Sequence, residues 1–413
     1  MGGVPAGAAE LRGHGGAVRA IAVTADGTTA ITGSFDTSAI LWSLGTGAAR
    51  AVLRFHAGQV NAVTTLPGGL FATAGEDARV AIWAEGGSSP AAVLSGHLGP
   101  VSSLAVSPDG KSIASASWDG TVRIWPIGGG EPQVLDRRKG NVNAVAFLAD
   151  GTPASAGYDG VLTLWLQGGA PVDLLTLSNP INTLAALPGN RLATGSADGR
   201  VRVIDRGGGV LDEAQVSATP VIALAASPDG NLLAAAGLQG AIAVLEPNNL
   251  EARHNLVGPG LPVWSLAFSA DSRTLLTGGS DRLVRRWDMA SGAHLGSIVA
   301  GPADPLTAYA GDRGAEVFRA CVACHTLSAS EGERAGPTLA GIFGRRIASL
   351  PDYHFSEALK GLDITWTPET VSKLFEVGPA TYTPGTKMPE QTIGDPEDRA
   401  ALVKFLERAT RAD

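Results

Sequence analysis

The sequence predicts a multidomain chain, an all-β propeller of seven blades followed by a small all-α domain, and three observations carry that prediction. One Trp or apolar position recurs at Trp42, Trp83, Trp125, Trp165, Ile204, Leu245 and Trp287, with spacings between 39 and 42. After Ile298 that register stops and the apolar spacing turns helical. The chain's 2 cysteines, Cys321 and Cys324, lie within one helical turn of each other. At 413 residues, with 44% hydrophobic and 17% charged residues, the chain is long and apolar enough for more than one core. A net charge of −8 leaves no basic surface to hold nucleic acid. No apolar run reaches the roughly 18 residues of a membrane span.

Taken in order, the repeating part comes first, because a period of 20–50 residues decides the whole architecture. Six residues before each recurring position stands Asp36, Asp77, Asp119, Asp159, Asp198, Gln239 or Asp281, an acceptor at a tight turn between two short strands. Each unit also holds an alternating run such as Val18 to Val23, a turn such as Pro108-Asp109-Gly110, and a second run such as Ser112 to Ser117. Four strands per unit is the make-up of a propeller blade. With Gly13-His14, Gly96-His97 and Trp287-Asp288 in register, these residues resemble the WD40-repeat family, a toroid of four-stranded blades. The resemblance implies that an N-terminal strand near Ala8 to Leu11 closes the last blade, leaving the other terminal candidate, Ala293 to Ile298, to run into a connector.

Within the repeats, the fixed register of the Asp residues points to turn duty rather than a carboxylate constellation. His14, His56 and His97 occupy the structural Gly-His position or its equivalent, and no metal cluster is visible in the repeats. Aromatics before the turn Asp, Phe35, Trp118 and Tyr158, with Trp264 nearby, read equally well as a partner-docking face and as packing between blades.

Ala300-Gly301-Pro302-Ala303-Asp304-Pro305 breaks any regular element. The predicted boundaries are 1–302 for the propeller, 303–310 for a linker and 311–413 for the helical domain. Ala315, Val317 and Phe318 lead into the cysteines, and Ala401, Leu402, Phe405 and Leu406 mark a final amphipathic helix.

Cys321-Val322-Ala323-Cys324-His325 is C-x-x-C-H, in which two thiols one turn apart can bond porphyrin vinyl groups while the adjacent imidazole reaches iron. A structural zinc would need further Cys ligands, and a redox dithiol would need a preceding strand. Met388 follows the Pro-Gly loop Tyr382-Thr383-Pro384-Gly385-Thr386-Lys387. With Gly336-Pro337-Thr338-Leu339, Gly344-Arg345 and Ile364-Thr365-Trp366, this part resembles a class I, mitochondrial-type cytochrome c.

That resemblance implies one covalent haem c on Cys321 and Cys324, with iron held by His325 and Met388. It implies that the Pro337 carbonyl orients His325, that Arg345 and Trp366 lie near a haem propionate, that Thr386 and Lys387 belong to the loop presenting Met388, and that Phe318 packs on Phe405. Tyr353-His354-Phe355 and Leu374-Phe375-Glu376 depart from the family by lacking one Tyr each. Residues 305–413 carry 12 basic and 15 acidic side chains, so steering toward a strongly acidic partner is weakly supported.

Together these readings predict a one-electron carrier rather than a catalyst, its propeller docking a redox partner protein. A propeller–cytochrome redox enzyme, such as a reductase or a peroxidase-like activity, and a redox-sensing scaffold are the alternatives. Met1 to Glu10 lacks the basic and apolar regions of an export signal. Because haem is attached this way after export in bacteria, a periplasmic protein whose signal peptide is missing from this sequence is expected.

Overall fold

The computed structural model of the chain describes residues 10–136, 140–258, 261–295, 306–319, 321–322, 324–328, 334–351, 353, 355–388 and 391–411. Its strands form seven separate four-stranded antiparallel sheets, the predicted seven blades. In the first blade Val18–Val23, Thr29–Ser34, Ala39–Ser43 and Ala49–Leu53 pair in chain order. Thr29–Ser34 is buried along its whole length, because it has neighbours on both edges and blades against both faces.

Ring closure follows the expectation. Glu10–Arg12 pairs antiparallel with Leu283–Asp288 and completes the seventh sheet, while Ala8 and Ala9 lie outside the described residues. The other terminal candidate bridges Trp287 through His294, then leaves the described residues at 296, so Gly296 to Ile298 are outside them. Leu11, Val18, Ile40, Trp42, Leu276 and Val284 pack in one cluster, so the seam between first and last blades is sealed by apolar contact too.

The turn aspartates do the work their register implies. Asp36, Asp77, Asp119, Asp159, Asp198 and Asp281 each accept the backbone N–H two residues on, at 2.9–3.3 Å. In blades one to three His14, His56 and His97 bridge that Asp to a buried Thr32, Thr73 or Ser115, which also accepts the Trp indole N–H. Burial alone would raise the Asp119 carboxyl, but the Leu98 N–H, the Thr121 hydroxyl and His97 outweigh it and hold its pKa at about 2.

A depressed carboxylate stabilises the fold above its unfolded pKa and loses that contribution as pH falls toward its folded one. Between pH 3.8 and about 2, Asp119 should therefore give up this contribution, about 1 kcal/mol once solvent screening of a partly exposed carboxylate is allowed for. Urea titrations of the whole protein across that range should show Asp119→Asn less stable near neutrality and flatter in acid. An equally steep acid loss in the variant would be inconsistent with this assignment.

Blade five shows what happens when the Trp is absent. Ile204 stands in its place, and the Thr194 hydroxyl ten residues earlier is buried with no partner. Arg202 fills the polar role instead, reaching Asp198 at 2.7 Å and Glu213 at 2.9 Å. Thr194→Val removes a desolvated hydroxyl at nearly constant shape, so a gain of about 1 kcal/mol is expected in chemical unfolding. A loss would mean the hydroxyl is paired in solution.

The C-terminal unit has helices α1 (Arg313–Phe318), α2 (Glu357–Lys360), α3 (Pro368–Val377), α4 (Pro379–Tyr382) and α5 (Pro396–Ala409). Asp312 caps α1 by accepting the Ala315 N–H at 3.0 Å, and Asp395 caps α5. The two helices cross closely: a β-carbon at Gly314 would strike the Ala401 carbonyl and Phe405, and the Phe318 and Phe405 rings sit 5.5 Å apart. Of the predicted linker 303–310, residues 303–305 lie outside the described residues, but Leu306 is 1% exposed and Tyr309 stacks edge-on against Phe405 at 5.0 Å. Both belong to the helical core, because two large apolar side chains gain more from burial than a solvated linker could offer.

Candidate functional site

The helical unit does not stand apart from the propeller. A cavity of about 290 Å³ opens between them, walled on one side by Cys321, Cys324, His325, Trp366 and Met388, and on the other by Gly15, Asp36, Arg54 and Arg282. The propeller wall comes from loops and turns of blades one and seven. This wall could not be read from sequence, since nothing local distinguishes Arg54 or Arg282 from ordinary surface cations.

The pentapeptide continues the turn after α1. The N–H groups of Cys324 and His325 both bond the Cys321 carbonyl, at 3.1 and 2.9 Å, which sets the two thiols one turn apart. Burial pushes the Cys321 thiol up to about 11 and that of Cys324 to about 12, the latter with the Asp36 carboxylate adding to the effect. His325 Nδ1 lies 2.8 Å from the Pro337 carbonyl. Burial lowers the imidazole's pKa against that carbonyl's pull, which keeps the ring neutral with Nδ1–H donating and Nε2 left to bind a metal. Gly336 is required for this approach: a β-carbon there would lie 2.6 Å from the ring's Cε1. Its place in the Gly336-Pro337 run was the only signal for it.

Met388 reaches the same cavity from a tight loop. The Thr386 hydroxyl accepts the Met388 N–H at 3.1 Å, the Thr386 N–H bonds the Thr383 carbonyl at 3.0 Å, and Gly385 takes φ +81°. Lys387 lies among the residues lining the cavity, and its ammonium donates to the His56 carbonyl of the propeller. Arg345 and Trp366 line the cavity, with Arg345 donating to the Thr338 and Ala340 carbonyls at 2.8 and 3.0 Å. In the Tyr353-His354-Phe355 run, where Phe355 is the departure, Tyr353 stands beside Arg54, whose guanidinium lies 4.1 Å above its ring. His354 lies outside the described residues.

The aromatic face divides. Phe35 and Trp264 pack on each other at 5.7 Å across the seam of blades one and seven, and the Trp264 indole donates to Ser280. Trp118 and Tyr158 are 50% and 68% exposed, and neighbouring Leu98 is 92% exposed.

An iron porphyrin fits these residues. Two thiols and an imidazole meet at one edge of a cavity with apolar walls, a thioether sulfur enters from a separate loop, and the imidazole's second nitrogen is already held. Fold and site together define a propeller joined to a c-type haem protein. The family models agree: "WD domain, G-beta repeat" matches residues 8–43, 88–126, 172–205 and 251–288, and "Cytochrome c" matches 311–410. The chain is 41% identical over 100 residues to a cytochrome c of Cochliobolus lunatus, covering 24% of this chain and 92% of the relative. It is likewise 41% identical over 100 residues to one of Arabidopsis thaliana, covering 24% and 88%, and 37% identical over 99 residues to one of Ulva intestinalis, covering 24% and 88%. Through these residues the chain belongs to the cytochrome c family, with WD40 repeats preceding that domain, and its cofactor is covalent haem c.

Proposed function

We propose that this protein is a class I one-electron carrier whose propeller docks a redox partner, with His325 and Met388 as the iron's axial ligands. The observation that carries the reading is His325 Nδ1 held at 2.8 Å by Pro337 while Met388 enters the same cavity. When bound, the haem supplies one-electron Fe(III)/Fe(II) chemistry. The chain's part is to fix the imidazole's tautomer through Pro337, present the Met388 sulfur on a braced loop, and line the cavity with Phe318, Leu339 and Leu374 so that water is kept out. Two protein ligands leave no open coordination position, which favours outer-sphere transfer over substrate turnover. Steady reduction of nitrite or peroxide by the purified protein would favour the enzyme reading instead.

For docking, Leu98, Trp118 and Tyr158 expose apolar surface at the loops and turns of blades three and four, on the side of the ring where the haem domain sits. Aromatics of this kind bury much area at small entropic cost. Trp118→Ala combined with Tyr158→Ala should weaken capture of the redox partner at least tenfold, with the haem spectrum and midpoint potential unchanged. Undiminished capture would remove docking from this face. The export-dependent attachment chemistry supports a periplasmic location, which fractionation of the native host tests directly.

A further inference from the structure

Residues 334–337 form a strap whose far end holds the His325 ring, and half of the backbone bonds described for it come from the propeller. The Ala335 N–H bonds the Gly13 carbonyl at 3.3 Å. The Ala335 carbonyl accepts from Arg54 Nε at 3.1 Å and from the Tyr353 hydroxyl at 2.8 Å. Arg54 Nη2 donates to the Arg334 carbonyl, so one planar guanidinium engages two successive carbonyls while stacking on the Tyr353 ring. On the other side of the strap, the Gly336 N–H bonds the Cys324 carbonyl at 2.8 Å and the Pro337 carbonyl faces His325 Nδ1. The strap runs close against the ring it holds, since even a β-carbon added at Gly336 would lie 2.6 Å from the imidazole's Cε1.

We propose that Arg54, a propeller residue, is a positioning residue for the haem iron: it holds the strap, and through the Pro337 carbonyl it sets the strength of the hydrogen bond to His325. The propeller is then part of the redox centre rather than a separate module. A strong bond to Nδ1–H makes the imidazole a more basic ligand, which favours the oxidised iron and lowers the potential. Releasing the strap weakens that bond and raises the potential. Removing the positive charge of Arg54 acts in the opposite sense, so the informative variant keeps the charge. Lysine retains it but offers neither the two-pronged fork nor a planar face to Tyr353.

This inference rests on His325 as an iron ligand, and the experiment separates the two. On the whole haem-loaded protein, the exchange rate of the His325 Nδ1 proton by NMR and the midpoint potential are measured for wild type, Arg54→Lys and Tyr353→Phe. Arg54→Lys should speed exchange at least tenfold and shift the oxidation equilibrium three- to tenfold, a rise of about 28–59 mV for one electron. Tyr353→Phe, which removes a single bond to Ala335 and keeps the stacked ring, should move both readouts the same way by less. Unchanged exchange and potential in Arg54→Lys would overturn the proposal, as would a shift confined to the potential, since that reports charge and not the strap. Should Arg54→Lys lose the domain contact altogether, Tyr353→Phe decides alone on the same criteria. A His325→Ala protein that kept the wild-type haem spectrum would instead overturn the ligand assignment beneath it.

Discussion

Met388→Ala is expected to lower the midpoint potential by a sizeable part of the roughly 0.8 V over which axial ligands move haem potentials. The sulfur enters on a loop braced by Thr386 and Gly385, and among the described cavity-lining residues no other thioether is present to replace it. The variant should lose the sulfur-to-iron charge-transfer absorbance and bind cyanide or carbon monoxide readily, because one coordination position is then open. A potential and spectrum close to wild type would remove Met388 from the iron.

The second large effect concerns attachment. In Cys321→Ala/Cys324→Ala the haem has no covalent tether, so acidified organic solvent should extract it completely, whereas in the wild type it should stay with the protein. The domain itself should weaken as well. Phe318, Leu339, Leu374 and Leu406 all contribute to the cavity wall, and a group that binds only the folded state stabilises that state in proportion to its affinity. Thermal unfolding followed by helix ellipticity should move down by at least 10 °C, on the order of the shift that a few kcal/mol produces in a unit of this size. Haem retained through extraction would mean that the thiols are not its anchor.

Much of this was legible beforehand because it was written in short-range patterns. The turn acceptor, Asp in six units and Gln239 in one, and the regular spacing of the Trp or apolar position mark each blade from within, so seven blades could be counted without any long-range information. Cys321-Val322-Ala323-Cys324-His325 likewise carries its chemistry in five consecutive positions. The junction between the domains was not legible. Arg54 follows an outer strand like any surface cation, and its two carbonyl acceptors lie about 280 positions away in sequence. Leu306 and Tyr309 were assigned to a linker because Pro and Gly precede them, and only the aromatic surface of Phe405 shows why they pack. Gly15 belongs with these. It sits within a Gly-His-Gly-Gly stretch typical of a loop, yet a β-carbon there would collide with the Cys324 sulfur.

The strand Glu10–Arg12 closes the ring, and Gly13, which it leads into directly, bonds Ala335 of the haem domain. Completion of the toroid and seating of the cytochrome therefore share one stretch of chain. Glu10 cannot meet Arg285 until nearly the whole propeller has been synthesised, so this pairing is among the last and least local steps of folding. A ring left unlatched would therefore also leave the haem domain without its Gly13 anchor, so one late pairing serves both the closed toroid and the junction.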